Sequence, residues 1–392
     1  MTEGVIRIVR VLHVNVNYAH RRMHSMLVDA LSCQEDMEQR VFVPVTKPAL
    51  VGRNAIVRPG VSHVYSPHLR PWHRVFFGAK TRANLRAVMQ IIGTQSLADH
   101  DVVHAHTLFS DGAIAHRIHQ ETGLPYVVTI RNTDVNFFWR LAPHLRALGR
   151  RIASEASCLV YLGRAYQNYF ESRLFPYGEP KSVAIVPNGI HSEWLHPPAK
   201  PREPVRDEAR LLFVGTFDRN KNIGNVLRAH ELLRKSGMQS TVRLVGASPR
   251  GIPRFLQRRI RNAGDTIALH GFTKTRSQLA EHFRWANVFV MPSFTESFGL
   301  VYAEALSSGV PVICSRGQGF DGWFPEGRCG YAVDPKDVSA IAERCRALIA
   351  NADPAACIAA AKAFDWHDIA AAWRQIYGDA SAARSARRHA AG

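Results

Sequence analysis

The stretch that decides the fold is Met291-Pro292-Ser293-Phe294-Thr295-Glu296-Ser297-Phe298-Gly299-Leu300-Val301-Tyr302-Ala303-Glu304-Ala305. Residues 288–291 form a short apolar run, which predicts a buried strand that ends at Pro292. A loop with Thr295 and Glu296 follows, and a predicted helix begins near Ser297. Because strand, loop and helix in this order are the repeating unit of parallel sheets, the stretch predicts an α/β fold.

The two glutamates of this stretch, Glu296 and Glu304, are eight positions apart. On one helix they would lie ~12 Å apart along the axis. That exceeds the roughly 5–9.5 Å that separates the paired carboxylates of glycosidases, so the spacing disfavours a hydrolase. It favours a long ligand with one glutamate at each end. Backbone amides of Ser297, Phe298 and Gly299, at the start of the helix, would then face a phosphate between them.

The same alternation of apolar runs and helical stretches continues on both sides. Predicted strands are residues 6–16, 41–45, 102–106, 126–130, 158–162, 183–186, 211–214, 242–245, 266–269, 288–291 and 310–314. Helical stretches lie between several of them, for example at 111–122 and 145–155. Such alternation predicts parallel sheets with crossover helices.

A proline-rich charged segment, residues 197–204, interrupts this alternation and predicts an interdomain linker. The predicted organisation is a first Rossmann-like domain at 1–197, a linker at 198–208 and a second Rossmann-like domain at 209–364. Residues 382–392 contain arginines and alanines but few core-forming side chains, which predicts a frayed basic tail.

Several classes of protein are excluded by missing motifs. The first strand runs into Asn15-Val16-Asn17-Tyr18 without a glycine, and no P-loop is present, so dehydrogenase and P-loop folds are disfavoured. Six scattered cysteines without a C-x-x-C pair argue against a zinc ribbon and suit a reducing cytosol. With no apolar run of membrane-spanning length and no leader-like start, the expected location is the cytoplasm.

The charge of the chain predicts a polyanionic partner. Fifty Lys and Arg against 32 Asp and Glu give +18 over 392 residues, which fits nucleic acid, an anionic membrane or a phosphorylated ligand. One acid-free stretch combines basic and aromatic residues: Arg70, Trp72, Arg74, Phe76, Phe77, Lys80, Arg82 and Arg86. This stretch is typical either of a surface that binds an anionic membrane or of a helix face exposed to solvent.

His104 and His106 share one face of a predicted strand because side chains alternate with a period of two. Three interpretations stay open. The pair could bind a metal, although no third ligand is evident. It could lie beside an acceptor in an interdomain cleft, or it could be packing.

The Glu296–Glu304 motif resembles the E-x7-E signature of glycosyltransferase family 4, whose members are retaining enzymes of GT-B fold with nucleotide-sugar donors. Further segments resemble the family in the same order: Val186-Pro187-Asn188-Gly189-Ile190, Phe213-Val214-Gly215 with Lys221, Leu244-Val245-Gly246, His270-Gly271-Phe272, Ser308-Gly309-Val310-Pro311-Val312 and Phe364-Asp365-Trp366. The resemblance implies two Rossmann-like domains with parallel sheets facing across a cleft. It also implies a C-terminal helix, residues 365–381, that crosses back to the first domain.

Site roles follow from the same resemblance. Glu304 would hold the ribose hydroxyls, Glu296 would lie beside the transferred sugar, and Lys221 would neutralise the leaving diphosphate. The other implied donor-binding residues are Ser297, Phe298, Gly299, Leu300, Gly215, Thr216, Gly246, His270, Gly271 and Phe272, with His270 to Phe272 near the base. No metal or other cofactor is implied, because the nucleotide-sugar is itself a substrate.

Three positions depart from the family pattern. Asn17-Tyr18-Ala19-His20 replaces a Gly-Gly loop. Thr216 replaces an arginine, whose charge Arg219 could supply. Arg131 replaces a histidine that touches the sugar near C6, and arginine pairs bidentately with carboxylates. We therefore hypothesise an acidic donor such as a UDP-uronic acid, the alternative being a structural Arg131–Asp134 pair. The resemblance places Arg131, Asp134, His106 and Asn17 on the acceptor or sugar side.

The expected function is a retaining, metal-independent hexosyltransferase that moves a sugar from a nucleoside-diphosphate sugar, with UDP favoured over GDP. The expected acceptor is a hydroxyl of a bacterial surface polysaccharide precursor (lipopolysaccharide or exopolysaccharide) or of a glycolipid. The protein would be cytoplasmic, with a peripheral position at the inner face of the membrane as an option. Alternatives are an inert nucleotide-sugar-binding subunit, another GT-B activity such as sucrose-type synthesis or epimerisation, and a basic nucleic-acid-binding protein, which no recognised module supports.

Overall fold

The computed structural model describes residues 8–74, 76–176, 179–195, 207–246 and 251–391. Within it the chain forms two compact units. Unit 1 comprises Met1–Leu162, Gln167–Gly189 and Trp366–Gly392, and unit 2 comprises Gly163–Tyr166 and Ile190–Asp365. The division therefore falls after Gly189 rather than at 197, and most of the expected linker lies outside the described residues.

Unit 1 contains a seven-stranded parallel sheet in the order β3-β2-β1-β4-β5-β6-β7. Its strands are β1 (Val9–Val14), β2 (Met37–Pro44), β3 (Val61–Ser66), β4 (Val102–Ala105), β5 (Tyr126–Ile130), β6 (Cys158–Tyr161) and β7 (Val183–Ile185). The helices of the first half of the chain are α1 (Arg22–Leu31), α2 (Phe77–Ile92), α3 (Thr94–Ala98), α4 (Gly112–Thr122), α5 (Arg146–Glu155) and α6 (Arg164–Leu174). The first three residues of α6 belong to unit 2 and the rest to unit 1. The central strands β4, β5 and β6 are buried along their whole length, which is why they read as continuous apolar runs.

Unit 2 contains a six-stranded parallel sheet in the order β10-β9-β8-β11-β12-β13. Its strands are β8 (Glu208–Val214), β9 (Gln239–Val245), β10 (Ile267–His270), β11 (Val288–Val290), β12 (Val312–Ser315) and β13 (Gly330–Val333). Its helices are α7 (Ser192–Leu195), α8 (Ile223–Lys235), α9 (Arg254–Ala263), α10 (Arg276–Trp285), α11 (Leu300–Ser307), α12 (Val338–Asn351) and α13 (Pro354–Ala361). Both sheets have the strand order of a Rossmann fold, which confirms the predicted α/β class.

The last helix, α14 (Trp366–Ala391), completes the core of unit 1. Its apolar face is formed by Ile369, Ala370, Trp373, Tyr377 and Ala380, which pack in one cluster with side chains of β1, β4, β5 and β6. The Arg374 guanidinium makes hydrogen bonds to the Asp36 carboxylate. The helix extends ten residues past the expected end at 381, so the backbone of the tail predicted to be frayed is helical as far as Ala391.

No single helix among the described residues is long and apolar enough to cross a membrane. One pair, Val338–Asn351 with Pro354–Phe364, passes the same length and composition test only when joined across a 105° bend.

Two strands are missing from the sequence prediction, and each is the last strand at one edge of its sheet. β3 is only partly buried along most of its length, so its apolar residues do not form a run. β13 begins at Gly330, where a Cβ would lie 2.4 Å from the Val312 carbonyl oxygen.

In each sheet the strand order reverses between the first and fourth strands of the unit, at β1/β4 and β8/β11. The crevice at the carboxyl ends of such strands is where ligands bind in open α/β sheets.

Candidate active site

In unit 2, glycines follow the carboxyl ends of two neighbouring strands, and we call this end of the sheet its carboxyl edge. The Gly215 amide, just after β8, donates to the Val245 carbonyl at 2.9 Å, and the Gly246 amide donates to the His270 carbonyl at 3.2 Å. A Cβ at Gly246 would lie only 1.9 Å from the Gly215 carbonyl oxygen, and its φ is +140°. Only glycine fits there, and the absence of a side chain lets a ligand approach the backbone closely.

Lys221 and Glu296 meet at this edge. The Lys221 ammonium lies 2.5 Å from Oε2 of Glu296, and the two side chains are 21% and 14% exposed. The Lys221 amide donates to Oδ1 of Asp218 at 3.1 Å, which fixes the loop that carries the lysine. Two of the residues predicted to be catalytic are therefore brought together as a partly buried ion pair.

The loop before Glu296 is held by the side chain of Asn220. Its amide nitrogen donates to the Thr295 carbonyl at 2.9 Å, and its Oδ1 accepts from the Thr295 amide at 3.0 Å. The Gln318 side chain accepts the Glu296 amide at 3.0 Å, and the Tyr166 hydroxyl donates to the Glu296 carbonyl. The position of Glu296 is thus set by hydrogen bonds to three separate segments.

Helix α11 begins at Leu300, three residues later than predicted, because Gly299 before it has a left-handed φ of +80°. Glu296 therefore lies outside the helix, and the ~12 Å helical spacing does not apply to the two glutamates. The Ser297 amide donates to Oε1 of Glu296 at 3.1 Å. Within the described part of the chain, the amides of Phe298 and Gly299 have no hydrogen-bond acceptor.

The Phe298 side chain is buried against the rings of Phe320 and Phe364. Its side chain therefore has almost no surface for a ligand, and the donor-binding role that the resemblance implies for its backbone amide stays a prediction. Leu300, the first residue of α11, is partly buried.

Glu304 lies on the second turn of α11 in a largely buried position. Burial raises the pKa of its carboxyl to about 7, and the positive charge of Arg276 acts in the opposite direction. Arg276 itself pairs with Glu193 at 2.8 Å. A carboxyl that titrates near neutral pH is a common feature of functional sites.

The remaining predicted donor-binding residues line the same edge. Thr216 donates its hydroxyl to Asp218 at 2.5 Å, and Arg219 is exposed on that loop. His270 ends β10, and its ring centroid lies 4.6 Å from that of His282. After Gly271 comes Phe272, whose side chain is 77% exposed.

In unit 1, Arg131 is buried just after β5. Its Nε donates to the His106 carbonyl at 2.8 Å, and burial lowers the pKa of its guanidinium to about 10. It is therefore a cation at neutral pH. The Asp134 carboxylate accepts the backbone amides of Arg131 and Phe109 at 3.0 and 3.2 Å. Arg131 and Asp134 are thus linked through the Arg131 backbone amide, which agrees with the alternative of a structural Arg131–Asp134 pair.

The His106 side chain has no exposed surface, and its predicted place on the acceptor side stays a prediction. Its Nε2 lies 3.0 Å from Nδ1 of His13. His13 is thus a third histidine beside His104 and His106, and the sequence did not reveal it. Ring nitrogens of His13, His104 and His106 lie within 4.8 Å of one another. Nδ1 of His104 contacts the Tyr377 hydroxyl and its Nε2 contacts Thr129, each at 2.8 Å.

These contacts fit a hydrogen-bonded core better than a cation site. Both nitrogens of His13 and both nitrogens of His104 already have partners. The group has no carboxylate to offset a metal charge. Burial lowers the pKa of His104 and His106 well below the usual value, and the Arg131 cation adds to this in the same direction. Asn17, the last predicted residue of unit 1, is half-buried, and its amide donates to Oδ1 of Asn15.

Sequence reasoning missed Asn220, Gln318, Tyr166 and Arg276, which hold or flank the glutamates. For Gln318 a signal was present: it lies in a glycine-rich run just after β12, the strand beside β11. At Gly319 a Cβ would lie 1.9 Å from the Ser297 carbonyl oxygen, so this run packs directly on the Glu296 loop.

Two family models match the chain. The model described as glycosyl transferases group 1 matches residues 208–351, and the glycosyl transferase 4-like domain matches residues 19–189. The chain belongs to this glycosyltransferase family. The resemblance drawn from the sequence is thereby confirmed, and the chain is an enzyme of the hexosyltransferase class.

Relatives agree with this assignment. A glycogen synthase from Mycobacterium tuberculosis (strain ATCC 25618 / H37Rv) is 28% identical over 324 residues, which cover 78% of this chain and 75% of that protein.

Solved structures show the same fold. Sucrose-phosphate synthase from Thermosynechococcus elongatus superposes with a TM-score of 0.73 at 21% identity, covering 96% of this glycosyltransferase and 100% of that chain. Anabaena HepE in complex with UDP-glucose gives 0.63 at 16% identity, with coverages of 95% and 99%. The glycosyltransferase thus has the GT-B fold.

Proposed function

We propose that this glycosyltransferase moves a hexose from a nucleoside-diphosphate sugar, with UDP favoured, to an acceptor hydroxyl with retention and without a metal. The observation that carries the proposal is the Lys221–Glu296 ion pair beside the amides of Phe298 and Gly299, which have no acceptor among the residues that the structure describes. Together they offer a cation and two donors to an anion at the carboxyl edge of the unit 2 sheet.

A diphosphate would compete with Glu296 for the Lys221 ammonium. Its charge grows as the bond to the sugar breaks, so a fixed cation and backbone donors stabilise the transition state more than the bound donor. Once Lys221 turns to the phosphate, Glu296 is released to accept hydroxyls of the sugar. The complex of HepE with UDP-glucose, in a protein of the same fold, supports a UDP-sugar as donor.

Glu304 is proposed to hold the ribose. A carboxylate with two acceptor oxygens suits a pair of neighbouring hydroxyls, and its burial strengthens these bonds by excluding water. In the proposed retaining reaction the sugar is transferred on the face from which the diphosphate leaves, so no separate protein base takes part.

The preference for an acidic donor sugar and the class of the acceptor both stay predictions. Arg131 carries a positive charge at neutral pH and has its Nε held by the His106 carbonyl, which supports recognition of a carboxylate. If UDP-glucose and UDP-glucuronate bind equally well to wild type and to Arg131→Ala, this hypothesis is wrong. A bacterial surface polysaccharide precursor or a glycolipid remains the expected acceptor, and the cytoplasm the expected location.

The deciding experiment is a thermal-shift screen of UDP, GDP, ADP and their sugars. A ligand at about 100 times its Kd stabilises the protein by ~2.7 kcal/mol, which is readily seen. We expect a shift with UDP in wild type and in the exposed control Glu343→Ala, and none in Glu304→Ala. No shift with any nucleotide in wild type would contradict the proposal.

Activity is measured separately as release of nucleoside diphosphate in the presence of acceptor mixtures. Donor binding without release under any acceptor condition would instead favour the inert-subunit alternative, for which Thr216 in place of an arginine is the sequence signal.

A further inference from the structure

Unit 1 exposes four large apolar side chains that come from two distant segments of the chain. They are Trp72, Phe76, Phe137 and Leu141, with 48, 60, 55 and 69% of their surface exposed. The two segments touch through the rings of Phe77 and Phe138, whose centroids are 5.7 Å apart. We call these four side chains the aromatic surface. Apolar patches of this kind on a soluble protein mark sites of interaction.

The two sequence ranges that carry the aromatic surface are rich in positive charge, and one of their arginines, Arg151, pairs with an acid outside them, Glu155. Residues 59–98 and 135–154 together contain nine Arg or Lys and no Asp or Glu. Arg70, Arg82, Arg86, Arg140 and Arg150 are exposed.

One lysine of the basic stretch does not contribute to the exposed positive charge. Lys80 is largely buried near Asp111, and burial lowers the pKa of its ammonium. The side chain of Arg74 lies outside the described residues.

Several of the arginines are held in place by aromatic rings. The guanidinium groups of Arg146 and Arg150 lie 5.7 and 5.4 Å from the centroid of Trp139, and that of Arg140 lies 5.6 Å from Tyr169. Each of the three also donates its Nε within unit 1: Arg140 to the Tyr169 hydroxyl, Arg146 to the Trp139 carbonyl and Arg150 to the Arg173 carbonyl. These contacts fix the charged groups beside apolar surface, and an external anion would be met by their terminal nitrogens. Residues Thr133–Trp139 form a π-helix, a rare conformation that is frequently found at functional sites.

We propose that the aromatic surface and its arginines dock the protein on an anionic lipid bilayer. Aromatic side chains prefer the membrane interface, where one side is apolar and the other is wet. Arginines around them would contact the phosphates of the head groups. A soluble polyanion, such as duplex nucleic acid, would use the arginines but would gain nothing from four exposed apolar side chains.

This inference goes beyond the proposed transfer reaction and does not depend on it, because lipid binding is measured without donor or acceptor. The experiment is co-sedimentation of the full chain with two kinds of vesicle, pure phosphatidylcholine and phosphatidylcholine with roughly one third phosphatidylglycerol. We expect binding to the second kind only.

Two double variants test which surface binds. Phe76→Ser with Phe137→Ser removes apolar contacts, and Arg82→Glu with Arg140→Glu reverses charge. Each should weaken binding at least tenfold while leaving the circular dichroism spectrum and Tm near those of wild type. The matched control, Arg258→Glu with Arg261→Glu, makes the same charge change at exposed positions of unit 2 and should bind like wild type.

Three binding results would overturn the proposal. The first is that wild type fails to bind the anionic vesicles. The second is an equal loss of binding in the two charge variants, which shows adsorption by net charge. The third is that the Phe76→Ser with Phe137→Ser variant binds like wild type.

Two further results would assign the surface to another partner and so also overturn the proposal. A change of oligomeric state in the Phe76→Ser with Phe137→Ser variant, measured by analytical ultracentrifugation, assigns the aromatic surface to a second copy of the chain. Salt-sensitive binding of DNA that competes fully with the vesicles assigns the arginines to nucleic acid.

Discussion

Lys221 and Glu296 illustrate how two ordinary surface residue types become a site. A solvated Lys–Glu pair contributes little to stability, but this one is mostly excluded from water and is held by Asp218, Asn220 and Gln318. In the proposed reaction this pair can be exchanged, because an incoming diphosphate would offer the Lys221 ammonium two charged groups in place of one carboxylate.

Replacing Lys221 should therefore damage catalysis more than folding. For Lys221→Ala we expect kcat/KM for nucleoside-diphosphate release to fall by roughly 10²–10³-fold, because the leaving charge loses its cation. Lys221→Arg should recover part of the loss. Lys235→Ala, an exposed lysine on α8, is the control and should behave like wild type. Normal turnover in Lys221→Ala would remove the lysine from the mechanism.

The raised pKa of Glu304, about 7, gives donor binding a pH dependence with a definite sign. Below that pH the carboxyl is protonated and accepts hydrogen bonds less well; above it the carboxylate binds hydroxyls more strongly. Affinity for a UDP-sugar should rise between about pH 6 and pH 8 in wild type and stay flat in Glu304→Gln. Isothermal titration calorimetry measures both, and identical pH profiles would exclude Glu304 as the cause.

Gly319 should be intolerant of any side chain. A Cβ would lie 1.9 Å from the Ser297 carbonyl oxygen, so Gly319→Ala must displace the loop that positions Glu296. We expect a lower Tm and a loss of donor affinity. Gly224→Ala is the matched control: it lies on α8 with nothing within 4 Å, and alanine there should be neutral or stabilising by up to ~1 kcal/mol. Equal behaviour of the two variants would contradict the argument.

At the scale of elements, the sequence predicted best what was buried on both faces. β5 was predicted with its observed bounds, Tyr126–Ile130, because a run of apolar and β-branched residues leaves no alternative. β3 was missed because this edge strand is largely half-exposed and lacks such a run. β13 is mostly buried, and it was missed because its four residues are a short run that begins with a glycine. The start of α11 was missed for a different reason: Gly299 before it takes a left-handed φ, which the apolar spacing does not encode.

The predicted site residues also differ from the missed ones for a physical reason. Glu296, Glu304 and Lys221 were found because their motif resembles that of a family. His13 escaped because the contact with His106 joins positions 93 residues apart, which only the pairing of β1 with β4 brings together. Tyr166 and Gln318 act on the Glu296 backbone, and no sequence spacing reports such a contact.

The histidines on β1 and β4 predict a pH-dependent stability. Burial lowers the pKa of His13 to about 3, far below its value of about 6.5 in an unfolded chain. The neutral imidazole thus favours the fold fully above pH 6.5, and this contribution is lost as the pH falls toward 3. In His13→Gln the titration is absent. Relative to wild type, the variant should gain ~1.4 kcal/mol per pH unit below 6.5.

Urea unfolding at about pH 7.5 and about pH 5 measures this difference. Buried carboxyls with raised pKa values, such as Asp111 at about 7, act in the opposite direction, but they are present in both proteins and cancel. His144→Gln, an exposed position outside the cluster, should unfold in parallel with wild type at both pH values. A pH-independent gap between His13→Gln and wild type would show that folding does not lower the pKa of His13.

At the scale of the whole molecule, the two units have separate cores but are not two successive segments. Residues of α14 complete the core of unit 1, although the chain reaches that helix only after building unit 2. Tyr377 contacts His104 across 273 positions of sequence, and Arg374 contacts Asp36 across 338. Removing the C-terminal helix should therefore damage the N-terminal half.

A chain that stops after Asp365 should lose the cooperative unfolding of unit 1 and keep that of unit 2. Calorimetry should show two transitions in the full chain and one in the truncated chain. A chain that stops after Arg384 keeps Ile369, Trp373 and Tyr377 and should retain both transitions. Two intact transitions in the shorter chain would show that α14 is dispensable to unit 1.

The late arrival of α14 also sets an order of events during synthesis. When Gly189 leaves the ribosome, every strand of the first sheet has been made, but the helix that covers it has not. At ~5–20 residues per second, about 200 more residues take ~10–40 s. During that time unit 1 has part of its apolar core exposed to solvent, while unit 2 is synthesised and folds. The half of the enzyme translated first is thus completed last, and chaperones would meet it in that interval.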